Sequence, residues 1–163
     1  MVKSRFSNLK LTFFIRIYTF LKIPLVWWVR PWVIEMNSQK TILEIPLGWR
    51  TKNHLGVMYF GALAMGAEAA VAAAAIKAIE DSKEKVDFVF KDFSADFHKR
   101  AEGNVYFQCD DGTSIRQLVD QAIQCGERVS KTYESFAYVP SINDERVATF
   151  KVTLSLKKRK PKN

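Results

Sequence analysis

An α+β fold, with one antiparallel sheet of about six strands wrapped around one long central helix, is what three features of this 163-residue sequence predict. Residues 53–79, NHLGVMYFGALAMGAEAAVAAAAIKAI, carry a single formal charge between Leu55 and Ile76, at Glu68. A helix of that composition has no polar face to give to water, and its glycines and alanines let other backbone approach on every side. Residues 128–156 alternate apolar and polar side chains about the turn Pro140-Ser141-Ile142-Asn143-Asp144, the pattern of a hairpin with one buried face. The periodicities in order read helix, two strands, long helix, two strands, short helix, two strands, which fits one sheet with a helix inside its curl.

Residues 4–22, SRFSNLKLTFFIRIYTFLK, read as an extra N-terminal helix that Pro24 ends. Phe6, Leu9, Phe13, Ile17, Phe20 and Leu21 recur at helical spacing, and Leu11, Phe14, Ile15 and Tyr18 make the other side apolar too, so this helix must bury two faces. The following IPLVWWVRPWV adds Trp27, Trp28, Trp32 and Arg30. Aromatics mixed with cations suit peripheral membrane contact, and packing on the domain or on a second subunit is the other way to cover such a helix. Arg16, Lys22, Pro24, Arg30 and Pro31 interrupt any membrane span.

Val33–Asn37 and Thr41–Trp49 read as strands joined at Asn37-Ser38, the second with Leu43, Ile45 and Leu47 on its greasy side and Pro46 at an edge or bulge. A loop from Gly48 leads into the central helix at Asn53, whose side chain suits a cap or a loop fastening. A bilayer span for that helix is disfavoured by Glu68, since an acid at mid-span costs about 2.5–3.5 kcal/mol. Asp81–Lys85 forms a polar turn, Val86–Phe97 a strand whose alternation slips near Asp92, and His98–Gly103 a charged turn before the short strand Val105–Cys109. Ser114–Gln124 is an amphipathic helix capped by Thr113 or Ser114 and stopped by Gly126.

The net charge of +8 belongs to the ends of the chain. Residues 1–34 hold six cations and no acid, and residues 157–163 hold five more; the remainder has 14 basic against 17 acidic residues, a net of about −3. Such a split argues against nucleic-acid binding, which places cations on the domain's own face. The expected organisation is an N-terminal helical segment 1–31, a domain 32–156 and a disordered basic tail 157–163. Two cysteines without a cleavable leader suggest a cytoplasmic setting, membrane-peripheral if the N-terminal segment meets lipid, and two histidines without ligand spacing suggest no metal.

Asn53 to Glu68 resembles the helix-start signature of hotdog-fold thioesterases, particularly the phenylacetyl-CoA thioesterase type. There an Asn, a Gly three residues later, a His-Gly-Gly and a terminal Asp or Glu span the same sixteen positions. Asn53, Gly56, Gly61 and Glu68 match, while Tyr59 and Phe60 stand where that signature has its His and first Gly. The overall pattern, over residues 30–156, is closest to a thioesterase-like branch with an extra N-terminal helix and a motif like Asp96-Phe97-His98-Lys99-Arg100-Ala101-Glu102-Gly103. The resemblance implies a hotdog fold and an acyl-CoA thioesterase without a cofactor, the acyl-CoA or acyl-carrier thioester being its substrate. The alternative is a noncatalytic acyl-ligand-binding or structural hotdog protein.

Thioester hydrolysis needs an activated water and donors for the oxyanion. Glu68 is the candidate base, with a core carboxylate held by hydrogen bonds as the structural alternative. The resemblance adds Asn53 and Tyr59 as catalytic candidates. Phe60 and Gly61 at the helix start supply backbone N–H groups at the positive end of the helix dipole, together with that of Tyr59. His54 is a substrate-side or simple loop residue, and Lys99 and Arg100 would meet CoA phosphates or water. Gly61 and Glu68 lie about 10 Å apart along a helix axis, at about 1.5 Å per residue. One carbonyl cannot touch both in the same subunit. The resembled enzymes solve this as a homodimer or dimer of dimers in which one chain's helix start faces the other's acid.

Overall fold

A computed structural model describes residues 8–159. Its elements are helices α1 (Leu9–Lys22) and α2 (Pro24–Trp28), strands β1 (Trp32–Met36) and β2 (Thr41–Ile45), helix α3 (Phe60–Ser82), strands β3 (Val86–Phe97) and β4 (Val105–Cys109), helix α4 (Gly112–Cys125), and strands β5 (Val129–Val139) and β6 (Asn143–Lys158). The six strands form one sheet in the order β1-β2-β4-β5-β6-β3, every neighbour antiparallel. Helix α3 lies against it, touching β2, β4, β5 and β6 as well as α4. This is the α+β architecture the sequence predicts.

The hairpin of β5 and β6 supplies the deepest part of the core. Ala148, Phe150, Val152, Leu154 and Leu156 all point inward and are buried, as their period-2 spacing requires. α3 packs against them with buried residues on every side of its axis, from Ala62 and Leu63 through Ala67, Val71 and Ala75 to Ala78. Its close fit needs Gly66: a side chain there would run into the Phe107 ring of β4. α3 is long and apolar enough to cross a bilayer by length and composition, yet most of it is enclosed by the sheet and α4. The amphipathic α4 buries Ile115, Leu118, Val119 and Ala122 and ends at Gly126, whose φ of 68° is the left-handed conformation glycine adopts at little cost.

Several boundaries differ from the sequence reading; β6, for one, begins at Asn143, inside the expected turn. The central helix starts at Phe60, not at Asn53, because residues 52–58 close on themselves before the helix begins: Lys52 pairs with Met58, and Asn53 N–H donates to Val57 O at 2.8 Å. β2 stops at Ile45, where Pro46 can offer no ladder donor. α4 begins at Gly112 after Asp111, with no capping bond from Thr113 or Ser114. The basic tail is ordered further than 156: Lys157 and Lys158 complete β6 opposite Asp87 and Val86, Arg159 N–H donates to Lys85 O at 2.8 Å, and the Arg159 guanidinium pairs with Asp87. The first seven residues, with Lys3, Arg5 and Phe6, and the last four, with Lys160 and Lys162, lie outside the described residues. The bulge expected near Asp92 is present, between Phe90 and Asp92 opposite β6.

Candidate functional site

Glu68 lies two turns into α3, half-buried, and it makes no hydrogen bond or ion pair among the described residues. Burial pushes its carboxyl above the ordinary value of 4.5, because the charged form loses water and gains no partner. A core carboxylate retained for structure is normally hydrogen-bonded. Glu44 of β2 shows what that looks like here: fully buried, it accepts from Asn104 Nδ2 at 2.7 Å, while Asn104 Oδ1 accepts the Leu47 N–H at 3.0 Å. Periodicity gave no sign of this pair, since Glu44 sits on the more polar side of β2.

The loop before α3 is fastened by its own backbone. Asn53 Oδ1 accepts the Leu55 N–H at 2.9 Å, Gly56 turns with φ 78°, and Tyr59 N–H donates to Thr51 O at 2.7 Å. One open alternative is decided and one expectation changes. Asn53 fastens a turn seven residues ahead of the helix rather than capping it, and the Tyr59 N–H is already used. Phe60 and Gly61 keep N–H groups without an acceptor among the described residues, at the helix terminus where the dipole favours an oxyanion. The Tyr59 ring lies over Gly61, so close that a Cβ there would stand 2.5 Å from it, and the Phe60 ring centroid is 4.7 Å from that of Tyr59. Both rings are exposed, as is His54, which makes no hydrogen bond among the described residues.

The charged turn after β3 is brought beside this loop by Met58 N–H donating to Ala101 O at 2.9 Å. Within it Lys99 pairs with Glu145 and Arg100 stands exposed. Of the residues singled out from sequence, the structure gathers Asn53, His54, Tyr59, Phe60, Gly61, Lys99 and Arg100 around the start of α3, and leaves Glu68 about 10 Å further along the axis. The Cys109 thiol is buried and pushed up to about 12 by desolvation, so it is a protonated packing group and no nucleophile. Among the described residues no three metal-ligating side chains converge.

Glu68 opens onto an apolar slot that runs between α1 and α3. Its floor is Ala69, Ala72, Ala73 and Ile76, its roof Leu11, Phe14, Ile15 and Tyr18, and its back wall Met36 and Leu43. Sequence reasoning did not assign these residues to a site. The signal available was the two-sided apolarity of α1, which called for a partner on each face.

The family described as "Domain of unknown function (DUF4442)" matches residues 12–132. Among solved structures, a Pseudomonas aeruginosa protein described as of unknown function and a probable thioesterase is 25% identical with a TM-score of 0.74, covering 91% of this chain and 96% of that one. A Chlorobaculum tepidum protein of unknown function superposes with a TM-score of 0.79 at 13% identity, covering 91% and 95%. A Haemophilus influenzae thioesterase superposes at 0.64 and 13% identity, covering 87% and 88%. No curated protein sequence matches the chain.

Proposed function

The chain belongs to the DUF4442 family, a thioesterase-like family with the hotdog fold, and from that premise we propose that it hydrolyses acyl-CoA thioesters with a water activated by Glu68. The observation that carries this reading is the unpartnered, half-buried carboxylate itself. In the reaction Glu68 takes a proton from water as the water oxygen bonds to the thioester carbonyl carbon. The tetrahedral oxyanion is held by the Phe60 and Gly61 N–H groups. The C–S bond then breaks, and the proton passes to the departing thiolate, leaving a carboxylic acid and a free thiol.

The distance of about 10 Å between Gly61 and Glu68 along one helix makes the site a shared one in this reading, built from one subunit's helix start and its partner's Glu68. An edge available for pairing supports the dimer: β3 ends the sheet, runs twelve residues, and exposes Val89, Phe93 and Phe97. Apolar side chains exposed on an edge strand are the positions a second copy would cover. Arg100 is the cation free to meet CoA phosphates; Lys99 would first leave Glu145.

A noncatalytic acyl-binding protein is favoured by one specific feature, the Tyr59 ring packed over Gly61 beside the exposed Phe60, which crowds the two free N–H groups. Release of free thiol from a panel of short, medium, long and aromatic acyl-CoAs separates the two. Turnover of any of them supports the hydrolase, and binding without turnover supports the second reading.

We also propose a peripheral membrane surface on the outer side of α1. Leu9, Phe13, Ile17, Phe20 and Leu21 form an exposed stripe continued by Leu25 and Trp28. Lys10, Lys22 and Arg30 are exposed near it, and residues 1–34 contain no acid, which matches an anionic lipid surface.

A further inference from the structure

We infer that the slot between α1 and α3 is the acyl-chain site, and that the substrates are thioesters of straight aliphatic acids of medium length or longer rather than aromatic or very short ones. This rests on the thioesterase reading above for the position of the thioester, and on the shape of the slot for everything else.

The slot exists because α1 is hung from β1 and not packed down onto α3. Three polar side chains at helical spacing hold it there. Asn8 Nδ2 donates to Ile34 O at 2.8 Å, Thr12 Oγ1 accepts the Val33 N–H at 3.0 Å, and Arg16 Nε donates to Pro31 O at 3.2 Å while its guanidinium lies over the Trp32 ring. On the facing side of α3 the stripe at i, i+3 and i+4 is Ala69, Ala72 and Ala73, too short to fill the gap that this suspension leaves. Large residues there would close it. The space is lined almost wholly by carbon, so an apolar guest that fills it is removed from water.

Direction and length select the guest. Along α3 the slot starts at Glu68 and ends at Glu80, about 18 Å at about 1.5 Å per residue; Glu80 is exposed at the far mouth, so the half-buried carboxylate, Glu68, stands at one end and the apolar run leads away from it. A reacting group at Glu68 with an extended tail fits that order. The void counted out to its open mouth is about 660 Å³ and is drawn out along the helix axis. An elongated trough of this kind follows an extended polymethylene chain along its whole length, whereas a compact aromatic ring or a very short acyl group would cover only the part next to Glu68.

Two measurements test this. In the first, kcat/KM is followed over butyryl-, hexanoyl-, octanoyl-, decanoyl- and phenylacetyl-CoA for the full chain. It should rise about fourfold per added methylene, the equivalent of about 0.8 kcal/mol for each CH₂ buried. Ala72→Leu, which fills the floor, should lower the decanoyl-to-butyryl ratio at least tenfold, and Phe14→Ala should raise it. In the second, the affinities of decanoyl- and butyryl-CoA are compared by calorimetry, with a preference of at least tenfold for decanoyl-CoA that Ala72→Leu removes. If no thioester is cleaved, the hydrolase reading fails while the calorimetry still decides the slot. Ratios that do not respond to chain length or to Ala72→Leu in a folded variant, or a preference for phenylacetyl-CoA, would overturn the assignment.

Discussion

Replacing Glu68 with glutamine keeps the size and shape of the side chain and removes both the charge and the base. Activity and stability should then move in opposite directions. A positioned general base is worth about 10²–10⁴ in rate, so kcat/KM for the best acyl-CoA should fall by that factor, or about 2.7–5.4 kcal/mol of transition-state stabilisation. Stability should rise at neutral pH. The carboxyl of Glu68 is raised by burial and has no compensating partner, so the folded state holds its proton at pH values where the unfolded chain has released it. Ionised Glu68 therefore costs stability above its raised pKa, the cost is lost as pH falls through the window down to 4.5, and below 4.5 both states are protonated and the cost is gone. Thermal melts of the parent and Glu68→Gln should differ at pH 7, with the variant higher, and should converge near pH 4. The parent's kcat/KM should climb with pH through the raised pKa of Glu68 and then level. Retained turnover in a folded Glu68→Gln variant would remove Glu68 from the mechanism. A variant less stable than the parent at pH 7 would mean that the side chain holds the core together instead.

Gly66→Ala should cost about 1–3 kcal/mol, the usual toll of overpacking, because the added methyl meets the Phe107 ring; a melting temperature equal to the parent's would show that β4 and α3 can separate freely. Sedimentation velocity at micromolar concentration should show a dimer or a dimer of dimers, and a monomer would leave the oxyanion donors and Glu68 in separate sites. Co-sedimentation with vesicles of phosphatidylglycerol and phosphatidylcholine should capture the full chain and release it in high salt. The double variant Phe13→Ser, Phe20→Ser should bind at least tenfold more weakly, since each exposed ring is worth about 1.5–3 kcal/mol on burial, and equal binding by the double variant would move the contact elsewhere.

The sequence by itself determined the architecture. A stretch of 22 residues with one charge can only be enclosed, and the period-2 run from Val147 to Leu156 can only face a core on one side, so a sheet around a helix follows from where water must be excluded. The same economy singled out Glu68, since an ionisable group in such a helix is visible against its surroundings. The details that decide chemistry depended on groups distant in sequence. Asn53 reads equally as a helix cap or a loop fastening until Val57 and Leu55 are seen to close a turn on it, and Lys99 looks free until β6 carries Glu145 alongside. Lys157 and Lys158 read as tail because nothing in their own charges reveals that β3 offers them a ladder. The slot is the clearest case. Its roof is on α1 and its floor on α3, some fifty residues away in the chain, and its width is set by hydrogen bonds from α1 to β1. Periodicity reports which face of an element avoids water; only the tertiary structure fixes how far one such face stands from the next.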